Sequence, residues 1–191
     1  MYRIGFDATL AFKNHYGPGH YSRSTIRYLT RQYPFNEYFL YSDSFRAHPL
    51  HQFAQFHNIA VNKHGGCKSR YLPLIGDDSR LAKRVAKDGV ELWHGLNGNL
   101  PKWDLQIPLV VTIHNLIHLR HPHFYSKRER ARVSRIADRA IESADKIVAV
   151  SRQTADDIVE FYNVDNSKIE VIHQSCDPQF YKKASEEEIE K

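Results

Sequence analysis

Short runs of β-branched and aromatic residues alternate along this chain with longer stretches whose apolar positions recur at helical spacing. The short runs predict strands over 2–6, 37–42, 58–62, 90–94, 109–114, 146–150 and 169–173. Leu109-Val110-Val111-Thr112-Ile113 and Ile147-Val148-Ala149-Val150 are almost continuously apolar, the pattern of parallel strands covered on both faces. The clearest helix runs over about 127–144, where Val133, Ile136, Ala137, Ala140, Ile141 and Ala144 share one side. Arg130, Arg132, Arg135 and Arg139 fall largely elsewhere on its wheel, and Ser126 with Glu129 forms a capping box at its start. Further helices are predicted over 21–32, over 79–87 and after Ser151, where Ile158, Val159 and Tyr162 share a side. Strands alternating with helices predict an open, mainly parallel α/β sheet.

The chain has 191 residues, 41% hydrophobic and 26% charged, with no repeat or low-complexity tract, so one domain with a proper core is expected. Its longest apolar run, around 109–113, is far too short for a membrane span, and the N-terminus lacks the pattern of a secretory signal. Cys67 and Cys176 match no metal spacing, which points to a reduced, cytoplasmic protein. The net charge of +5 hides an asymmetry: residues 1–183 carry +8, with 26 Lys and Arg against 18 Asp and Glu. Such a basic body suits a phosphorylated ligand or an anionic membrane surface, against the plainer reading of a solvated face. The basic helix has no interleaved aromatics and no nucleic-acid motif, so nucleic acid is not an expected partner. At the end of the chain, Ser185 and Glu188 form another capping box, yet the sequence stops at Lys191 before a helix could form. The expectation is therefore the front part of a longer protein.

In an open α/β sheet, ligands collect at the carboxyl ends of the strands. Asp7, His94, His114 and Ser151 stand there by the strand assignments above. Tyr16-Gly17-Pro18-Gly19-His20-Tyr21 lies between the first strand and its helix, where glycines and free N–H groups can approach an anion. Its spacing is neither G-x-G-x-x-G nor a Walker loop, and a plain turn is the simpler reading. His114 and His118 stand four apart, but no Glu follows His114 and Pro122 disfavours a helix, so zinc is not expected. Ser151 lacks a G-x-S-x-G elbow and reads equally well as a helix cap. Cys67, beside Gly65-Gly66 and Lys68, reads as an inert loop cysteine.

The run Val110-Val111-Thr112-Ile113-His114-Asn115-Leu116, then Pro122, the basic helix and Ser143-Ala144-Asp145-Lys146-Ile147-Val148-Ala149-Val150-Ser151 resembles retaining glycosyltransferases of family 4. The resemblance continues through Tyr162-Asn163-Val164, Lys168-Ile169-Glu170-Val171-Ile172-His173 and Asp177-Pro178-Gln179-Phe180, and the front of the chain fits as well. It implies the N-terminal, acceptor-side, Rossmann-like half of a GT-B fold over residues 1–173, with 174–191 leading into a hinge and a missing donor-binding domain. It further implies retaining transfer of a sugar from a nucleotide-diphosphate donor to a hydroxyl of a glycan or lipid-linked acceptor, in polysaccharide or glycan biosynthesis. The fragment alone should be inactive, and no cofactor or metal is expected beyond the donor. By the same resemblance His114 stands beside the transferred sugar, Gly17 and Gly19, with Pro18 and His20 in the same loop, approach the donor diphosphate or the transferred sugar, and Asp7, His94, Asn97, Asn115 and Ser151 line the cleft. Tyr16, His20, Asn115 and Gln174-Ser175-Cys176 depart from the family pattern. A cytoplasmic location, with the arginine helix resting against the inner face of an anionic membrane, would bring the cleft to a membrane-borne acceptor. The alternative is a stand-alone Rossmann-like module that binds a phosphate or nucleotide without catalysis.

Overall fold

The computed structural model describes residues 1–13, 16–42, 53, 56–63, 78–101 and 106–176. Cys67, the Ser185 capping box and all of 177–191 lie outside the described residues. Among the described residues, seven strands form one sheet: β1 (Arg3–Asp7), β2 (Glu37–Ser42), β3 (Ile59–Lys63), β4 (Leu92–Gly95), β5 (Leu109–Ile113), β6 (Lys146–Ala149) and β7 (Ile169–Val171). Every neighbouring pair is parallel, in the order β3-β2-β1-β4-β5-β6-β7. The chain builds outward from β1 to β3, then returns to lay β4 against β1 with Phe6 opposite His94. That reversal opens a crevice at the carboxyl ends of β1 and β4, the place where open α/β sheets bind ligands.

Among the described residues, six α-helices accompany the strands: α1 (Thr9–Lys13), α2 (Gly17–Gln32), α3 (Asp78–Lys87), α4 (Ile117–Arg120), α5 (Lys127–Ser143) and α6 (Arg152–Tyr162). Alternation along the strands divides the core between the two faces. Phe6, Tyr38 and Leu40 pack with Ala11 and Phe12 of α1 and Ile26 of α2. On the opposite face, Tyr41, Trp93, Val111, Ile113 and Ile147 pack with Val85 of α3, Ala137, Ala140 and Ile141 of α5, and Ile158 of α6. The apolar stripe read in 127–144 is thus the buried face of α5, and the Ser126–Glu129 capping box closes in both directions.

Several boundaries differ from the sequence expectation, and the differences shape the site. The glycine segment is not a loop before a helix starting at Tyr21. It is the first turn of α2, because Pro18 sits where a missing N–H costs nothing and His20 N donates to the Tyr16 carbonyl at 3.0 Å. Strand β5 stops at Ile113, so His114 is the first residue beyond it. Strand β4 starts at Leu92 rather than Val90 and runs one residue past His94. Pro122 does not keep the histidine-rich segment free of helix: one turn, α4, forms ahead of it and closes with His121 N on the Ile117 carbonyl at 2.7 Å. Helix α1 is a further addition, opened by Asp7 Oδ1 accepting from Thr9 N at 3.0 Å. Among the described residues, no helix is long and apolar enough to cross a membrane.

Candidate functional site

His114 leaves β5 partly buried, with both ring nitrogens engaged. Its Nε2 donates to the Leu96 carbonyl at 3.0 Å, and its Nδ1 lies 2.9 Å from the Gln174 amide nitrogen. The Tyr21 ring stands perpendicular to the imidazole, at 89° with centroids 4.9 Å apart. Burial pushes the His114 pKa down, and the Leu96 hydrogen bond opposes that shift only in part. The ring is therefore a neutral imidazole near pH 7.

Tyr21 joins His114 to the other site histidine. Thr112 is wholly buried in β5, and its Oγ1 lies 3.2 Å from the Tyr21 hydroxyl and 2.9 Å from His94 Nε2. The His94 ring also packs on Phe6, at 5.7 Å between centroids, and burial pushes its pKa down to about 4. His94 thus takes part from within the sheet, as a neutral hydrogen-bonding group behind Tyr21.

The turn after β4 connects the remaining pieces. Asn97 Nδ2 donates to Ser22 Oγ at 3.1 Å, and Ser22 Oγ donates to the Pro18 carbonyl at 2.8 Å, so this turn holds the first turn of α2. Gly95 permits it: a Cβ there would run into the Asn99 carbonyl oxygen. Gly98, at φ +67°, completes the turn and donates its N–H to the Thr112 carbonyl at 2.8 Å. Asn97 also lines a cleft of about 530 Å³ at the carboxyl ends of β1 and β4, together with Asp7, Tyr41, Trp93, Arg132 and Ile136. That volume lies within the usual range of small-molecule sites. Asn97 Oδ1 is buried without a hydrogen-bond partner, an acceptor suited to a ligand hydroxyl.

The structure brings Asp7 and Asn97 to the cleft, while His114, His94 and the Gly17–Gly19 turn do not line it and join it only through the Leu96–Asn97 turn and Thr112, with Gly19 buried and His20 exposed. Asn115 and Ser151 have local duties. The exposed Asn115 accepts from Ile117 N at 3.3 Å to start α4. Ser151 caps α6 by accepting from Thr154 N at 3.1 Å, and Thr154 Oγ1 in turn donates to the His114 carbonyl at 3.3 Å. Arg120 ties α4 to α6 through Asp157 and Glu160, with its guanidinium 4.9 Å above the Phe161 ring. Among the described residues, no group of three or more His, Cys, Asp or Glu converges as a metal site would require. His118 is buried instead against Tyr125, with ring centroids 6.3 Å apart.

Sequence reasoning missed Tyr21, Thr112, the Leu96 carbonyl and Gln174 as parts of the site. Tyr21 stood within the glycine motif, and Gln174 stood out as a departure from the family pattern. Thr112 offered one signal, a lone hydroxyl in an otherwise apolar strand. The Leu96 carbonyl offered none.

Comparison with solved structures places this architecture. The chain superposes on a glycosyltransferase from Rickettsia africae with 14% identity over 99% of this chain and 48% of that one, at a TM-score of 0.60. It superposes on Anabaena HepE, solved in complex with UDP-glucose, with 14% identity over 96% of this chain and 47% of that one, at 0.63. A UDP-N-acetylglucosamine 2-epimerase matches with 11% identity over 90% of this chain and 47% of that one, at 0.61. These likenesses show a shared Rossmann-like α/β fold, found in GT-B glycosyltransferases and in the epimerase alike, and the chain spans about half the length of each. No protein of curated description matches the sequence. The sequence model described as Glycosyltransferase Family 4 matches residues 17–180, from the glycine turn through His114 and beyond Gln174, and the chain belongs to that family.

Proposed function

We propose that this chain is the acceptor-side half of a GT-B glycosyltransferase that moves a sugar from a nucleotide-diphosphate donor to an acceptor hydroxyl, with retention, in polysaccharide or glycan assembly. The observation that carries the reading is the Leu96–Asn97 turn. Its carbonyl holds His114, its side chain holds the glycine turn of α2, and the same side chain faces the 530 Å³ cleft. One short turn therefore couples a neutral histidine, a helix N-terminus suited to phosphate and a cleft suited to an acceptor. His114 would orient a hydroxyl of the transferred sugar, and the α2 amides would face the diphosphate. Asp7 and Asn97 would receive hydroxyls of the acceptor. No metal or cofactor is assigned a role.

In this reading residues 1–173 form the acceptor-side domain, and the segment from Gln174 onward leads to a donor-binding domain in the full-length protein. The exposed arginines of α5 would rest against an anionic lipid surface and bring the cleft to a glycan or lipid-linked acceptor. Its setting would be the cytoplasmic face of that membrane. Turnover is tested in the full-length protein by following release of the nucleoside diphosphate from a panel of nucleotide sugars, with the product anomer read by NMR. Release that depends on an acceptor and is lost in His114→Ala supports transfer. Binding of a nucleotide sugar without release, in the presence of acceptor extracts, would replace this reading with a non-catalytic binding module.

A further inference from the structure

The contact between Gln174 and His114 has a definite polarity. A carbonyl oxygen only accepts, so the 3.0 Å contact to Leu96 puts the ring proton on Nε2. In the neutral ring Nδ1 then carries a lone pair, and the Gln174 amide at 2.9 Å must present an N–H to it. Gln174 reaches this point from the far side of β6. The chain leaves β7 with Ile172 N donating to the Ala149 carbonyl at 2.9 Å, crosses the end of β6 and lays the exposed Gln174 side chain on the histidine beyond β5. Among the described residues, the Tyr21 ring of α2 also faces His114, and the neutral His94 of β4 stands one step behind it through Thr112.

We propose that Gln174 is a positioning residue that holds His114 as the Nε2–H tautomer, keeping Nδ1 as an acceptor until a hydroxyl of the transferred sugar takes the place of the amide. The assignment of that hydroxyl rests on the proposed glycosyl transfer, whereas the tautomer does not. Because the amide and a sugar hydroxyl are both donors, the exchange needs no proton movement.

The test is long-range ¹H–¹⁵N correlation NMR on histidine-labelled protein, with the His114 signals identified by their loss in His114→Gln. The native protein should show protonated Nε2 and bare Nδ1, titrating below the ordinary histidine value of about 6.5. In Gln174→Glu the new carboxylate can only accept, so it draws a second proton onto the ring, and the titration midpoint should rise by about 1–2 pH units. Gln174→Leu should leave the fold intact but admit a share of the Nδ1–H tautomer, seen as movement of the Nδ1 resonance toward that of a protonated nitrogen, and a tautomer unchanged in this variant would overturn the proposal. A midpoint unmoved in Gln174→Glu, or a native ring protonated at Nδ1, would also overturn it. In the full-length protein, the acid limb of the kcat profile should move upward with the Gln174→Glu midpoint. If the NMR shift appears and turnover ignores it, the tautomer assignment stands and the role of His114 in transfer falls.

Discussion

Asn97 Nδ2 donates to Ser22 Oγ at 3.1 Å across 75 positions of sequence, and through that one bond the turn after β4 fixes the start of α2. Asn97→Ala removes it and leaves Ser22 with the Pro18 carbonyl alone. The expected loss is about 1–2 kcal/mol of stability, the scale of one partly buried hydrogen bond. Faster amide exchange at Gly19 and His20 and a raised donor KM in the full-length protein should accompany it. Unchanged exchange in the first turn of α2 would show that the bond does not hold that turn.

Gly95 is required by space rather than by backbone angle. A Cβ there would strike the Asn99 carbonyl oxygen and approach Leu100 Cδ2 to 3.1 Å, and the struck atom is backbone that cannot rotate away. Gly95→Ala should therefore cost about 3 kcal/mol, at the upper end of overpacking effects, and displace the Leu96 carbonyl from His114. Gly98→Ala is the informative comparison. Its φ of +67° is strained for alanine, but the nearest atom outside the turn is 3.8 Å away, so it should cost about 1–2 kcal/mol. Equal urea midpoints for the two variants would remove the steric account.

The histidines give stability a pH dependence of known sign. His94 titrates at about 4 when folded and at about 6.5 when unfolded, so between these values the unfolded chain binds the extra proton. Stability is then greatest above pH 6.5 and falls as pH drops toward 4, by about 3 kcal/mol for this group. His114 and His118, both pushed down by burial, act in the same direction. Urea unfolding at pH 7, 5.5 and 4.5 checks this, with His94→Gln expected to flatten the decline. A decline of full steepness in that variant would assign the effect elsewhere.

The fold was largely legible because its strands are buried on both faces. Runs such as Leu109–Ile113 and the segment from Ile147 need no partner to be recognised. The arginine-flanked α5 declared both its apolar face and its cap. Helix α1 escaped because five residues are too few to show a 3.6-residue period, and α4 because one turn can form ahead of the proline that argued against it. At the site, residues at strand ends were legible as positions and illegible as contacts. His94 lies beside Thr112 only because β4 pairs with β5 with His94 opposite Val110, a register written in no local pattern. The bonds of Gln174 and Asn97 span 60 and 75 positions and depend on where loops come to rest.

Tyr21 performs two tasks that substitution can separate. Its hydroxyl meets Thr112, and its ring covers one side of His114. Tyr21→Phe keeps the ring and gives up the hydroxyl. Thr112 retains His94, so stability should fall by only about 1 kcal/mol and the His114 titration should not move. Tyr21→Ala removes the cover as well. Water then reaches the imidazole, the burial that depresses its pKa is relieved, and its midpoint should rise toward the ordinary value of about 6.5. Turnover of the full-length protein should follow the same division, near native for Phe and several-fold lower for Ala. The reading fails if Tyr21→Ala titrates like the native protein, for the ring would then contribute nothing to keeping His114 dry.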